Sequence, residues 1–305
     1  MPTDAPVLLF PGQGTEAVGM SRGWEDVPEW REALETAEGV SKQPLRTWMA
    51  DGPEYELRAQ RSAPFADIAH SVGMFRAHRA AGLPLPAAAA GHSLGFFSAI
   101  VAAEVVGLED ALELVRNTEN LADERFGAGS MGMAFIIGLR GEHLRAALAG
   151  HPELALSNVN GQAQFTVSGP LPALEELLGQ VAPGCLRAGL LPVRQPLHGR
   201  HMLPLVAKLA RRLAYVEPRE PRFPLLSMSD GGFLRTGAQA WKEAVSSVAR
   251  PVDWPAVVGA LSGFAGPWLE CGHGSQLSGL TRWIDRNRLV ESLQSPPGAI
   301  PPLPC

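Results

Sequence analysis

Residues 86–106, "PAAAAGHSLGFFSAIVAAEVV", run from a short apolar segment through a turn that holds one serine between two glycines into a long apolar segment. The order reads as strand, tight turn and helix. A chain that reverses so sharply needs small neighbours at the corner, and Gly91 and Gly95 supply them on either side of Ser93. A serine projected from such a corner, with a helix N-terminus beneath it, has the layout of a nucleophile elbow. The bland alternative is a serine that caps the helix. Upstream, "PVLLF" at residues 6–10 is stopped by "PGQG" and reads as a buried strand followed by a tight turn. Short apolar runs alternating with helical ones predict an α/β sheet with helices on both faces.

The pattern changes between residues 130 and 194. "MGMAFIIGL" reads as a strand, "GEHLRAALAG" as a helix, "LALSNV" and "QFTVSG" as strands around the turn "NGQA", "LPALEELLGQV" as a helix and "CLRAGLLPV" as a last strand. That succession, β-α-β-β-α-β, is a ferredoxin-like unit. The expected organisation is therefore a discontinuous large subdomain (1–129 and 195–292), a small inserted subdomain (130–194) and a Pro-rich tail (293–305). The tail's "SPPGAIPPLPC" has five prolines and no apolar period, so it is expected to be loosely held.

Composition narrows the function classes. With 305 residues, 46% hydrophobic and 19% charged, the chain can bury a large core. No run of about 18 uninterrupted apolar residues occurs, and the N-terminus lacks a basic stretch ahead of its apolar one, so the expectation is a cytoplasmic protein with no membrane partner. A net charge of −5 gives no general support for a nucleic-acid partner. Cys185, Cys271 and Cys305 are widely spaced and odd in number, which fits reduced thiols better than a disulfide framework or a zinc site. No metal or redox cofactor is implied.

A serine nucleophile needs a base, and an acyl oxyanion needs backbone donors. Two histidines have suggestive settings: His198 in "LPVRQPLHGRHM" and His273 in "LECGHGSQLSGL". A hydrolase with the order serine, acid, histidine would use His273 with Asp230 or Asp253.

Several weak motifs then occur together in one order. "LLFPGQGTEAVGM", "GHSLG", "GMAFIIGL", "NVNGQAQFTVSG", "LPVRQPLHGRHM", "RPVDW" and "GSQLSGL" span residues 6–290. In order and spacing the chain resembles malonyl-CoA:acyl-carrier-protein transacylases and polyketide acyltransferases. The resemblance implies an α/β-hydrolase-like body carrying a ferredoxin-like insert. It implies Ser93 as nucleophile, His198 as its base, and a backbone carbonyl near Ser247 that orients the imidazole. Gln13 and Leu94 match the two oxyanion-hole amides, and Asn160 falls at the substrate pocket. His273 falls where the family usually has proline, which makes it a loop residue. His201 has no third ligand at metal-binding spacing.

Departures from the family are as informative. Malonyl-type members carry an arginine 25 residues after the nucleophile, and here that position is Thr118. Arg116 lies two residues away, a turn of about 200° on a helix, which should point it away from the pocket. Phe96, after the elbow glycine, and Leu197, before His198, make the expected pocket less polar, whereas Phe97 is expected in the core. The implied activity is transfer of a non-carboxylated acyl group, aminoacyl or peptidyl, between carrier proteins in polyketide biosynthesis, as in trans-acting enzymes of macrolactam pathways. The alternatives are a malonyl-CoA:acyl-carrier-protein transacylase and an acyl hydrolase that clears stalled carriers. The partner is an acidic acyl carrier protein whose phosphopantetheine arm, or CoA, bears the thioester. Arg187, Arg194 and Arg200 near the subdomain junction, and Arg282 and Arg286 on one face of the last helix, are the expected docking residues.

Overall fold

The first strand, β1 (Val7–Phe10), is buried along its whole length and sits inside a six-stranded sheet. Its neighbours are β2 (Ala88–Gly91) on one side and β10 (Trp268–Glu270) on the other, both parallel to it. β11 (Val290–Ser292) extends the sheet beyond β10, and β7 (Leu225–Leu226) and the antiparallel β8 (Phe233–Leu234) extend it beyond β2. The computed structural model describes residues 4–127 and 129–298.

Alternation along these strands feeds two cores. Leu8, Phe10, Ala89 and Leu225 point into one cluster, with the helices Pro28–Ser41, Ala63–Ala80, Gly95–Ala102 and Leu108–Phe126. Val7, Leu9, Ala88, Ala90 and Leu226 point into the other, with Trp254–Leu261 and Gln276–Ile284. A strand with both faces covered is apolar at every position, which is why "VLLF" and "AAAG" show no polar alternation.

The second sheet has the order β6 (Arg187–Leu190), β3 (Met131–Ile137), β5 (Gln164–Pro170), β4 (Ala155–Gly161), β9 (Val252–Asp253). β3 to β6, with the helices Gly141–Leu148 and Leu171–Val181, make the ferredoxin-like unit read from the sequence, with its own core around Ile136, Leu144, Val167, Leu174 and Leu177. The fold class expected from the sequence, an α/β body with a βαββαβ unit, is the one observed.

The second sheet ends in a strand the sequence reading did not foresee. β9 comes from the later part of the chain yet pairs in parallel with β4, Asn158 opposite Val252 and Val159 opposite Asp253. The expected tail also needs correction in its first residues. Leu293 N–H donates to Glu270 O at 2.9 Å, continuing the edge of the first sheet, and Gln294 Nε2 donates to Gly274 O at 2.9 Å. Residues 299–305, including Cys305, lie outside the described residues. Among those described, no helix is long and apolar enough to cross a membrane.

Candidate active site

The corner at residues 91–95 is dictated by close contacts. A Cβ on Gly95 would lie 2.0 Å from Phe10 O, and one on Gly91 would lie 2.2 Å from Phe96 N, so neither position tolerates a side chain. Between them Ser93 adopts φ = +52°. A left-handed backbone at a non-glycine residue costs about 1–3 kcal/mol and persists only where packing fixes it. The gain is orientation: the serine side chain leaves the end of β2 at the N-terminus of the helix Gly95–Ala102.

Ser93 Oγ lies 2.6 Å from His198 Nε2. On its other side His198 Nδ1 is 2.8 Å from Ser247 O and 3.1 Å from Arg250 O. Two carbonyls can only accept, so they place the ring proton on Nδ1 and leave Nε2 as the acceptor facing the serine. His198 is also held through its backbone: φ is +59° and its N–H donates to Val248 O at 2.7 Å. Burial lowers its pKa to about 4, with the carbonyl of Ser247 working in the opposite direction. The imidazole is therefore neutral at pH 7 and able to take a proton.

The backbone amides of Gln13 and Leu94 flank the serine and have no acceptor among the described residues. Both residues line the small inner cavity that contains Ser93 and His198. Gln276, absent from the sequence reading, clamps the "PGQG" loop: its Oε1 accepts from Gly12 N–H at 3.0 Å and its Nε2 donates to Gln13 O at 3.4 Å.

The inner cavity has a volume of about 60 Å³ and meets a wider cleft of about 710 Å³. Gln60, Glu119 and Gln195 line both. Thr118 and Leu197 line the inner cavity, where the sequence placed them. The Thr118 hydroxyl donates to Leu114 O of its own helix at 2.8 Å. Arg116 is turned outward onto Glu113, 2.6 Å away.

Other expected pocket residues lie elsewhere. Phe96 is fully buried in the large core, and Phe97 lines the cavity in its place, because the tilt of the helix at the elbow sets which of two adjacent side chains faces inward. Asn160 lies behind the elbow, with Oδ1 2.8 Å from His92 Nε2, and does not line the cavity. His273 packs edge-on against His70, ring centroids 6.0 Å apart, in a separate cluster. His201 Nε2 donates to Glu153 O at 2.7 Å.

The arginines divide. Arg194 lines the wide cleft and is exposed, and Arg200 is exposed on a short 3-10 turn. Arg187 stacks over Phe135 at 5.6 Å and is not part of the cleft lining. Arg282 and Arg286 border a separate groove with Trp283, but they do not share a helical face, since the helix ends at Ile284. Among the described residues no group of three ligands suited to a metal occurs.

The two-sheet fold with its serine elbow defines the class, an α/β enzyme acting on acyl groups. The chain belongs to the acyl transferase family, whose domain model matches residues 7–241, and is an acyltransferase. It is 32% identical over 296 residues to the malonyl CoA-acyl carrier protein transacylase of Salmonella typhimurium, covering 95% of this chain and 96% of that protein. The crystal structure of acyl-carrier-protein S-malonyltransferase from Burkholderia pseudomallei superposes with a TM-score of 0.88 at 32% identity, over 96% of this chain and 97% of the other. A malonyl-transacylase solved in complex with a type II polyketide-synthase acyl-carrier protein gives a TM-score of 0.88 at 29% identity, over 96% of each chain.

Proposed function

We propose that this acyltransferase carries a non-carboxylated acyl group, aminoacyl or peptidyl, from a thioester donor to the phosphopantetheine thiol of an acidic carrier protein in polyketide biosynthesis. His198 Nε2 takes the Ser93 proton as Oγ bonds to the thioester carbon, and the amides of Gln13 and Leu94 hold the oxyanion. Collapse of the tetrahedral adduct breaks the carbon–sulfur bond, and the imidazolium returns its proton to the leaving thiolate. A second thiol reverses these steps. The transient charge on His198 is balanced by the carbonyls of Ser247 and Arg250, so no acidic side chain is required. The solved complex with a type II polyketide-synthase carrier supports a carrier partner for this chain.

One observation carries the choice of acyl group. No lysine or arginine lines the inner cavity among the described residues, and the Thr118 hydroxyl proton is already given to Leu114 O. A carboxylate buried there without a partner would cost several kcal/mol.

The second reading, a malonyl-CoA:acyl-carrier-protein transacylase, is favoured by the names of the relatives. Intact-mass analysis after incubation with malonyl-CoA, and separately with uncharged acyl-CoA donors, decides between them. The proposal expects adducts from uncharged donors and none from malonyl-CoA. Efficient malonyl loading overturns it.

A further inference from the structure

Glu119 follows Thr118 on the helix Leu108–Phe126 and is the one carboxylic acid that lines the inner cavity among the described residues. It is 7% exposed, and its Oε1 is sealed from water without a hydrogen-bond donor. Arg61, one of the cations in the adjoining cleft, gives its Nη2 to Asp123 at 2.5 Å and reaches Glu119 through its charge, with no hydrogen bond to it. A buried carboxyl group with no donor is costly unless a ligand satisfies it. Burial pushes its pKa up to about 8, against the lowering effect of the Arg61 charge, so the group is largely uncharged at neutral pH.

Its position says where that ligand atom sits. Glu119 lies at the junction of inner cavity and wide cleft, next in the chain to Thr118 of the inner cavity. Gln195, on the same junction, has a sealed Nε2 with no acceptor. An orphan acceptor and an orphan donor at one junction match a group that offers N–H and accepts at oxygen.

We propose that Glu119 is a specificity residue that accepts a hydrogen bond from an N–H of the acyl chain and so selects amine- or amide-bearing acyl groups over their hydrocarbon counterparts. The inference rests on the function proposed above. A chain extending from the Ser93 ester into the wide cleft must pass this junction, because the inner cavity is too small to enclose it. The pantetheine arm also carries amide N–H groups, and the experiment separates the two sources.

The test uses three pairs of CoA thioesters on one common arm: glycyl and propionyl, 3-aminopropionyl and butyryl, N-acetylglycyl and 4-oxopentanoyl. Within each pair only a nitrogen is exchanged for carbon. Initial rates of Ser93 acylation by intact mass should favour the nitrogen-bearing member at least tenfold in one or more pairs. Glu119→Met should bring that ratio toward one, and Glu119→Gln should keep a preference in the amide pair only. If no pair in the wild-type protein differs by more than twofold, or if the preference survives in Glu119→Met, the inference falls and Glu119 serves the shared arm or the fold. That outcome leaves the proposed function standing. Loading of malonyl with failure of all six thioesters overturns the proposed function and this inference together.

Discussion

Ser93 and His198 meet at 2.6 Å, and both hold a left-handed backbone, φ +52° and +59°. The short bond therefore joins two strained positions that are far apart in the chain. Neither conformation is set by its own residue type, since serine and histidine rarely adopt it. Each is imposed by its surroundings: the elbow contacts around Gly91 and Gly95 for the serine, and the Val248 carbonyl for the histidine.

Ser93→Ala should form no acyl adduct, and His198→Ala should slow acylation by about 10²–10⁴. Thermal unfolding adds a second readout. Ser93→Gly relieves the left-handed strain and should be more stable than Ser93→Ala by about 1 kcal/mol. Equal melting of the two variants would show that the elbow stores no strain.

The pH dependence follows from burial. A lowered His198 pKa, about 4, means that the base stays neutral well below the ordinary histidine value of about 6.5. Acylation should stay level from pH 7 to about 5 and fall through 4. Stability behaves differently, because the unfolded chain takes up protons on its histidines below about 6.5 while His198 and His70, the latter lowered to about 3, do not. The melting temperature should drop as pH falls from 6.5 to 4. A histidine-like midpoint near 6.5 in the acylation profile would place a different group in the role of base.

Thr118→Arg should shift loading toward malonyl by about tenfold to hundredfold relative to an uncharged acyl group, since a guanidinium supplies a charge-assisted partner worth roughly 1.5–3 kcal/mol. Competition between malonyl-CoA and butyryl-CoA, read by mass, measures the ratio. Glu119 lies alongside and would pair with the new arginine, so Thr118→Arg combined with Glu119→Gln should shift further than Thr118→Arg alone. An unchanged ratio in both variants would remove Thr118 from the acyl-binding position.

Gln276→Ala releases both ends of the clamp on the "PGQG" loop. The Gln13 amide then loses its fixed direction, and kcat should fall about tenfold to hundredfold with little change in KM, less than the 10²–10³ seen when an oxyanion donor is removed outright. A change confined to KM would assign Gln276 to donor binding instead.

Much of this was legible in the sequence, for physical reasons. The ferredoxin-like unit declares itself because each strand and helix has its own amphipathic period and each turn its own residues. The elbow declares itself because only glycine fits at 91 and 95. Arg116 and Thr118 were separable because helical phase is rigid over two residues. The choice between Phe96 and Phe97 failed because it depends on the tilt of the helix where it leaves the strained corner, which no periodicity records. Arg282 and Arg286 were placed on one face because the sequence around Asp285 carries no glycine or proline stop, yet that residue turns extended, φ −129°, and ends the helix. Glu119 and Gln276 were missed because a carboxylic acid on a charged helix and a glutamine at the start of a helix read as solvated groups until a cavity and a neighbouring loop are seen against them.

The two-residue strand β9 has a consequence for chimeras. The carbonyls that hold the His198 ring, at Ser247 and Arg250, lie just before Val252, where the chain is stitched to the insert at Asn158. Exchanging residues 130–194 for the matching segment of a relative would thus replace one side of a seam whose other side steers the imidazole. Such a graft would fold from two sound halves and still misplace its base, unless the donor segment brings its own partner for Val252 and Asp253.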